Sequence, residues 1–319
     1  MKISPYKSTD KDLWDQLVEG SKNGTFLFLR DYMDYHKDRF SDCSLIVRNK
    51  KKTPIALFPA NYVESEKLVV SHGGLTYGSL LLSHKATAVD VGEIWGEILR
   101  YYKHLGSDLL HLKTIPYIYH KYPCEEEKYW LFRSGAKLLS RDLSSVVDLR
   151  SPLSFSKLRV RKVKMAQQSD LEFLLNAPLS YYSDFWDILE KVLLSYHNVL
   201  PVHSLKEIQL LAQHFPQNIQ LAIVRKLDKV FAGCVQYKTN NVNHIQYIAT
   251  SEEGREKGAL DFLFYHLIQN SQKEGFKYVD FGISTEQDGH YLNEGLLFQK
   301  EGFGGRGICY DKYEINLND

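Results

Sequence analysis

The strongest constraint on the fold of this chain is a pattern that occurs twice. Val91, Ile94, Trp95, Ile98, Leu99, Tyr102 and Leu105 fall on one helical face, with Gly106 as a stop signal and a strand at 108–114. At a constant offset, Leu260, Leu263, Phe264, Leu267 and Ile268 repeat the first five apolar places. Gly275 then matches Gly106, and 276–283 reads as the next strand. Upstream, residues 44–48, a charged turn and 55–58 read as a β-hairpin; residues 221–225, a turn at Asp228 and 232–235 read as a second one. Third strands fall at 68–71 and 244–250. The offset differs slightly between hairpins and helices, which places a short insertion in the first copy, around 72–82. Two ordered matches indicate a duplication. Each copy runs hairpin, third strand, amphipathic helix, strand. The fold class is therefore α/β (α+β), with two tandem units, each a mixed, mostly antiparallel sheet flanked by helices. The boundary falls between Asp148 and Met165, where Ser151-Pro152 breaks a strand, giving units 1–152 and 153–319. The second unit opens with 157–165 and two helical stretches, 184–196 and 205–215, the latter ended by Pro216.

A hydrophobic fraction of 44% against 25% charged residues supports two packed cores. The formal net charge of +1 excludes a whole-molecule field that would drive nucleic-acid or membrane binding, so any basic site must be local. Cys43, Cys124, Cys234 and Cys309 lack metal-type spacing and read as reduced thiols. The first residues lack an apolar signal region and no apolar run approaches membrane-spanning length; the expected location is cytoplasmic.

Four segments could carry chemistry. The first is residues 72–78, where three glycines in seven residues imply positive backbone angles or close approach of another group. Thr76 and Tyr77 add hydroxyls there, and His72 an imidazole that could titrate near neutrality; a tight loop without a ligand fits equally. The second is 251–260, a strand-to-helix connection whose free N–H groups could hold a phosphate or pyrophosphate, with Gly254, Gly258, Arg255 and Lys257 in support; an ordinary exposed connection is the alternative. The third, 280–306, is dense in Gly, Asp, Asn and Lys. Asp280 ends a strand, where α/β sheets place ligands, and Lys300 lies between Phe298 and Phe303, where partial desolvation could make it a base or a phosphate contact. A structural Asp280–Lys300 ion pair is the alternative. The fourth is the basic run Lys157, Arg159, Arg161, Lys162 and Lys164, either a phosphate-binding face or a solvated one. No zinc-type His/carboxylate spacing, phosphate-cradling glycine loop followed by Lys-Ser/Thr, or Gly-x-Ser-x-Gly elbow is present.

The tandem units of hairpin, strand, helix and strand resemble a duplicated GNAT acyltransferase fold. Asp280-Phe281-Gly282, Gly295-Leu296 and Lys300-x-x-Phe303-Gly304 are similar to the C-terminal signature of the Fem-like branch of that superfamily. Residues 71–78 resemble the loop that this branch carries in its first unit. The resemblance implies acyl transfer to an amine of a cell-envelope or saccharide precursor. The donor, acyl-CoA such as acetyl-CoA, would sit between the fourth and fifth strands of the second unit, with its phosphates at the helix start. Under it, Lys300 and Asp280 are catalytic: Lys300 contacts donor or acceptor, and Asp280 orients or deprotonates the amine. Thr250, Arg255, Lys257 and Gly258 bind the cofactor, and His72, Thr76, Tyr77 and Asn293 bind the substrate. No metal is implied. The partner is a small-molecule, glycan or peptide precursor with an acceptor amine. Two alternatives stand beside it: an aminoacyl-tRNA-dependent, peptidoglycan-type aminoacyl ligase, with tRNA as partner, and a non-catalytic binding module of the same fold.

Overall fold

The structure is a computed structural model that describes residues 1–318. The chain packs as two compact units. The first holds Met1–Asp142, Gln287–His290 and the residues from Cys309 onward; the second holds Leu143–Glu286 and Tyr291–Ile308. The sequence reading placed the division at 152/153 and assigned the last strand to the second unit. Pairing decides otherwise: the strand Arg306–Asn316 runs antiparallel to Leu109–Lys113, with Ile315 opposite Leu110.

In the second unit the sheet order is Glu172–Leu174, Ile219–Lys226, Lys229–Lys238, Val242–Thr250, Tyr278–Ile283, and then residues 143–148. All neighbours are antiparallel except Val242–Thr250 and Tyr278–Ile283, which run parallel. A parallel pair needs a crossover, and the helix Ala259–Lys273 supplies it. Its apolar stripe, with Phe262, Leu263, Phe264, Leu267 and Ile268 all buried, lies in one core with Val224, Ala232, Ile245, Val279 and Phe281. Each such side chain contributes about 1.5–3 kcal/mol by leaving water. The helix stops as the periodicity predicts, with Gly275 at φ +87°. Ser204 and Glu207 form a reciprocal cap at the start of Leu205–His214.

The first unit repeats the parallel pair. Leu68–Val70 runs beside Leu109–Lys113, joined through the helix Ala88–His104, whose Val91, Ile94, Trp95, Ile98 and Tyr102 are buried. Its strands fall in two sheets where one was expected. In the second unit Lys229–Lys238 pairs with both neighbours along one continuous strand. In the first, the equivalent strand Pro54–Phe58 stops before Pro59, which has no N–H to donate to a ladder, and the chain resumes as Asn61–Val63. The hairpin Leu45–Arg48 and Pro54–Phe58 thus belongs to a four-stranded sheet with Lys2–Pro5 and Leu81–Leu82, while Asn61–Val63 pairs with Leu68–Val70 in another. The insertion read at 72–82 supplies the edge strand Leu81–Leu82.

Candidate functional site

The parallel ladder of the second unit is short. Val242, Asn243 and His244 pair with Tyr278, Val279 and Asp280, and there it ends. Beyond that point Val242–Thr250 stays paired to Lys229–Lys238 as far as Thr250 opposite Ala232, and Tyr278–Ile283 stays paired to 143–148 as far as Ile283 opposite Ser144. Each strand keeps its outer partner and loses its inner one, so a wedge opens at His244 and Asp280. A register shift between Asp280 and Ile283, with Gly282 at φ +75°, bends the second strand away.

Three elements build the apex. Asp280 is 0% exposed, and its carboxylate accepts from the Ser144 hydroxyl, from the Gly282 N–H at 2.9 Å and from the His244 ring at 3.0 Å. A carboxylate so enclosed cannot itself reach a substrate proton. It holds His244 by Nδ1, which fixes the ring's tautomer with the proton on that nitrogen and none on Nε2. The sequence reading put Asp280 in contact with the attacking amine and did not single out His244. Only the register that sets His244 beside Asp280 reveals the pair; in sequence it is one more histidine at a strand start.

Lys300 lies in the short helix Glu294–Glu301 and is 5% exposed. Its ammonium donates to the carbonyls of Gly282 at 2.8 Å and Ile283 at 2.6 Å, which are the backbone groups freed by the bulge. Burial pushes its pKa down to about 8, and the Asp280 charge opposes that shift. The expected desolvation is present, but Phe298 does not supply it, being 64% exposed; Phe303 is fully buried. An ammonium has three N–H groups and two are used here, leaving one for a ligand. Ser145, opposite the bulge, and Ser284, just after it, bury hydroxyls that have no partner. Polar atoms left in that state cost free energy unless something fills the site.

Several predicted site residues have structural work to do. Asn293 caps the Lys300 helix, accepting from the Leu296 N–H and donating to Glu286 at 3.0 Å. Gly258 sits at φ +72°, and a Cβ there would lie 2.5 Å from the Lys162 carbonyl, so its close approach is to backbone. Gly254 faces the Phe231 carbonyl in the same way, at 2.4 Å. Arg255 donates to the Tyr196 hydroxyl at 2.8 Å, Lys257 pairs with Glu253 at 3.6 Å, and Thr250 bonds to the Phe231 carbonyl at 3.2 Å. At the start of Ala259–Lys273 the positive helix end already meets Asp261, 4% exposed, which accepts from its own N–H and pairs with Arg159 at 2.9 Å.

In the first unit the gap equivalent to the wedge is closed. After Val70, Ser71 donates its N–H to the His111 carbonyl at 2.9 Å and its hydroxyl accepts from the Lys113 N–H at 3.0 Å. Gly78 then bonds to the Lys113 carbonyl at 2.7 Å. The 71–78 loop therefore folds onto the neighbouring strand Leu109–Lys113. Tyr77 is 2% exposed and packs on Tyr119 within the core. His72 stacks beside His36 and burial drives its pKa down to about 3, so it stays neutral throughout the physiological range. Thr76 alone of the three is exposed.

Residues 164–291 match the family described as an acetyltransferase (GNAT) domain. Among solved structures, FemX shares the fold over 100% of this chain and 98% of its own, at TM-score 0.69 and 12% identity. A C-terminal domain assigned to a lysylphosphatidylglycerol synthetase from Agrobacterium fabrum matches over 97% and 92%, at 0.61 and 13% identity. A tandem GNAT protein from the clavulanic acid biosynthesis pathway matches over 99% and 98%, at 0.51 and 10% identity. No curated protein matches the chain by sequence.

Proposed function

From the GNAT acetyltransferase domain at residues 164–291, set in a Fem-like tandem GNAT fold, we propose that this chain transfers an acyl group to the amine of a cell-envelope precursor. The observation that carries the reading is the wedge that opens at the Asp280–His244 pair. An acyl donor lying between the two strands would present its carbonyl beside His244. The acceptor amine attacks that carbonyl, His244 Nε2 takes the amine proton, and the donor's hydroxyl or thiol leaves. Lys300 holds the bulged backbone in shape and points its remaining N–H at the charge that develops.

The residues at the helix start do not fit a CoA diphosphate. Asp261 occupies the positive end of the helix, Glu252 and Glu253 stand in the preceding turn, and Arg255 and Lys257 are engaged elsewhere. We therefore favour an aminoacyl ester, such as aminoacyl-tRNA, as the donor. FemX and the lysylphosphatidylglycerol synthetase domain support that choice by fold alone. Calorimetric titration with acetyl-CoA and coenzyme A should show no binding, whereas aminoacyl-tRNA should be turned over in the presence of a lipid-linked peptide acceptor. Tight acetyl-CoA binding would reverse the choice of donor.

The depressed pKa of Lys300 makes a separate prediction. The folded chain holds this proton less tightly than the unfolded chain does. The resulting penalty is complete below pH 8 and fades as pH rises from about 8 toward the ordinary lysine value, so stability rises across that window. Lys113, also pushed down to about 8 by burial, adds a similar slope. Replacement Lys300→Met should therefore remove roughly half of the lysine-linked slope, measured as the wild-type minus variant difference in denaturant unfolding. At neutral pH the variant should be nearly as stable as the wild type. The relieved burial of charge, about 3 kcal/mol, offsets two carbonyls left unpaired at about 1–3 kcal/mol each. Activity should fall at least about a hundredfold. Identical pH slopes in the two proteins would show that Lys300 is not the desolvated amine described here.

A further inference from the structure

The basic run that the sequence singled out is the helix Lys157–Gln167, and the reaction proposed above uses none of its exposed face. The helix contains no acidic residue. Arg159 turns inward to Asp261, whereas Lys157, Arg161 and Lys164 share the exposed side, within roughly 60° of arc at 100° per residue. Among the described residues none of these three forms an ion pair.

Beside this cationic stripe lies a pocket of about 370 Å³, walled by Pro152, Phe155, Val160 and Val163 on one side and by Tyr265 and Ile268 on the other. A second lobe of about 360 Å³ continues it under Lys157, Arg161 and Lys164, sharing Phe155 and Val160. No acidic residue lines either lobe. Val160 is 41% exposed, and Met165 and Leu153 are also open to solvent nearby in the chain. The site thus joins three cations free of ion pairs to an apolar trough of ligand-binding size.

We infer that this face docks on an anionic lipid bilayer, with lipid phosphates on Lys157, Arg161 and Lys164 and one acyl chain in the trough walled by Phe155, Val160 and Ile268. Charge complementarity and exposed aliphatic side chains together select this occupant. An RNA strand would use the cations and could stack on Phe155 or Tyr265, but it would leave the exposed aliphatic Val160, Leu153 and Met165 without an apolar partner. An interfacial helix combines the two features: a basic stripe and an apolar flank that enters the acyl boundary. The inference is independent of which acyl donor the wedge accepts.

The test is co-sedimentation of the full chain with vesicles of phosphatidylcholine alone or carrying about a third phosphatidylglycerol. The chain should partition onto the anionic vesicles and not onto the neutral ones. The triple replacement Lys157→Ala, Arg161→Ala, Lys164→Ala should weaken partitioning on the order of a hundredfold, from the typical contribution of each basic residue at such a surface. Val160→Asp should remove the part of the binding that survives high salt, because apolar anchoring is not screened. Both variants carry surface changes, and unchanged melting temperatures will confirm that they fold. Equal binding to the two vesicle types, or variants that bind like the wild type, would overturn the inference. So would retention of uncharged tRNA through the same three cations without vesicle binding.

Discussion

Alanine at position 244 should slow acyl transfer by roughly two to four orders of magnitude, the usual contribution of a positioned general base. The melting temperature should fall by only a few degrees, because the change removes one hydrogen bond from Asp280, worth about 1–2 kcal/mol. His244→Asn separates the two roles. Its amide can still donate to Asp280, so most of the stability should return, but it has no basic nitrogen and activity should stay lost. Single-turnover rates beside calorimetric melting of both variants make the measurement. If His244→Asn transfers acyl groups at the wild-type rate, the proton goes elsewhere and the mechanism falls.

Asp280→Ala should have the larger effect on folding. It strands the Ser144 hydroxyl and the His244 Nδ1 proton at a buried apex, together with the part-buried Gly282 N–H. Each buried donor left alone costs about 1–3 kcal/mol, and a cavity adds to that, so a loss of at least about 3 kcal/mol is expected. In a unit of this size that lowers the melting temperature by about 10 °C. Asp280→Asn keeps the volume and an acceptor oxygen, and should recover most of that loss while leaving His244 poorly oriented and transfer slow. The contrast between the two substitutions is the result to look for. Equal stability of Asp280→Ala and wild type would mean that the buried carboxylate does not organise the apex.

The parts of the fold visible in the sequence are those written in local periodicity. The apolar stripe from Val91 to Tyr102 and its counterpart from Phe262 to Ile268, each stopped by a left-handed glycine, fix two helices with no tertiary information. The hairpins follow from alternation and turn chemistry, as at Asn49, whose side chain accepts from the N–H groups of Lys51 and Thr53. What depends on pairing between distant strands was hidden. Nothing local announces that Arg306–Asn316 joins Leu109–Lys113, or that His244 stands opposite Asp280. Glycines misled in a consistent way. Gly258 and Gly78 are small because backbone of the same chain approaches them, the Lys162 carbonyl in one case and the Ser71 carbonyl in the other. Sequence records that a Cβ is excluded there, but not what excludes it. The burial of Lys300 was legible from one aromatic neighbour, Phe303, since Phe298 is exposed, and its carbonyl partners arise from a bulge that no composition rule detects.

The return of residues 309–316 to the first unit makes the second unit an insertion within the first, and this sets an order of events during synthesis. Domains usually complete in the order in which they are made. Here the unit begun first must wait for residues 312–316, since Leu109–Lys113 lacks its antiparallel neighbour until then. The unit carrying His244, Asp280 and Lys300 has all its strands once residue 308 has emerged. A nascent chain stalled at that point would hold an assembled wedge while Leu109–Lys113 still presented an open strand edge, a template for mispairing.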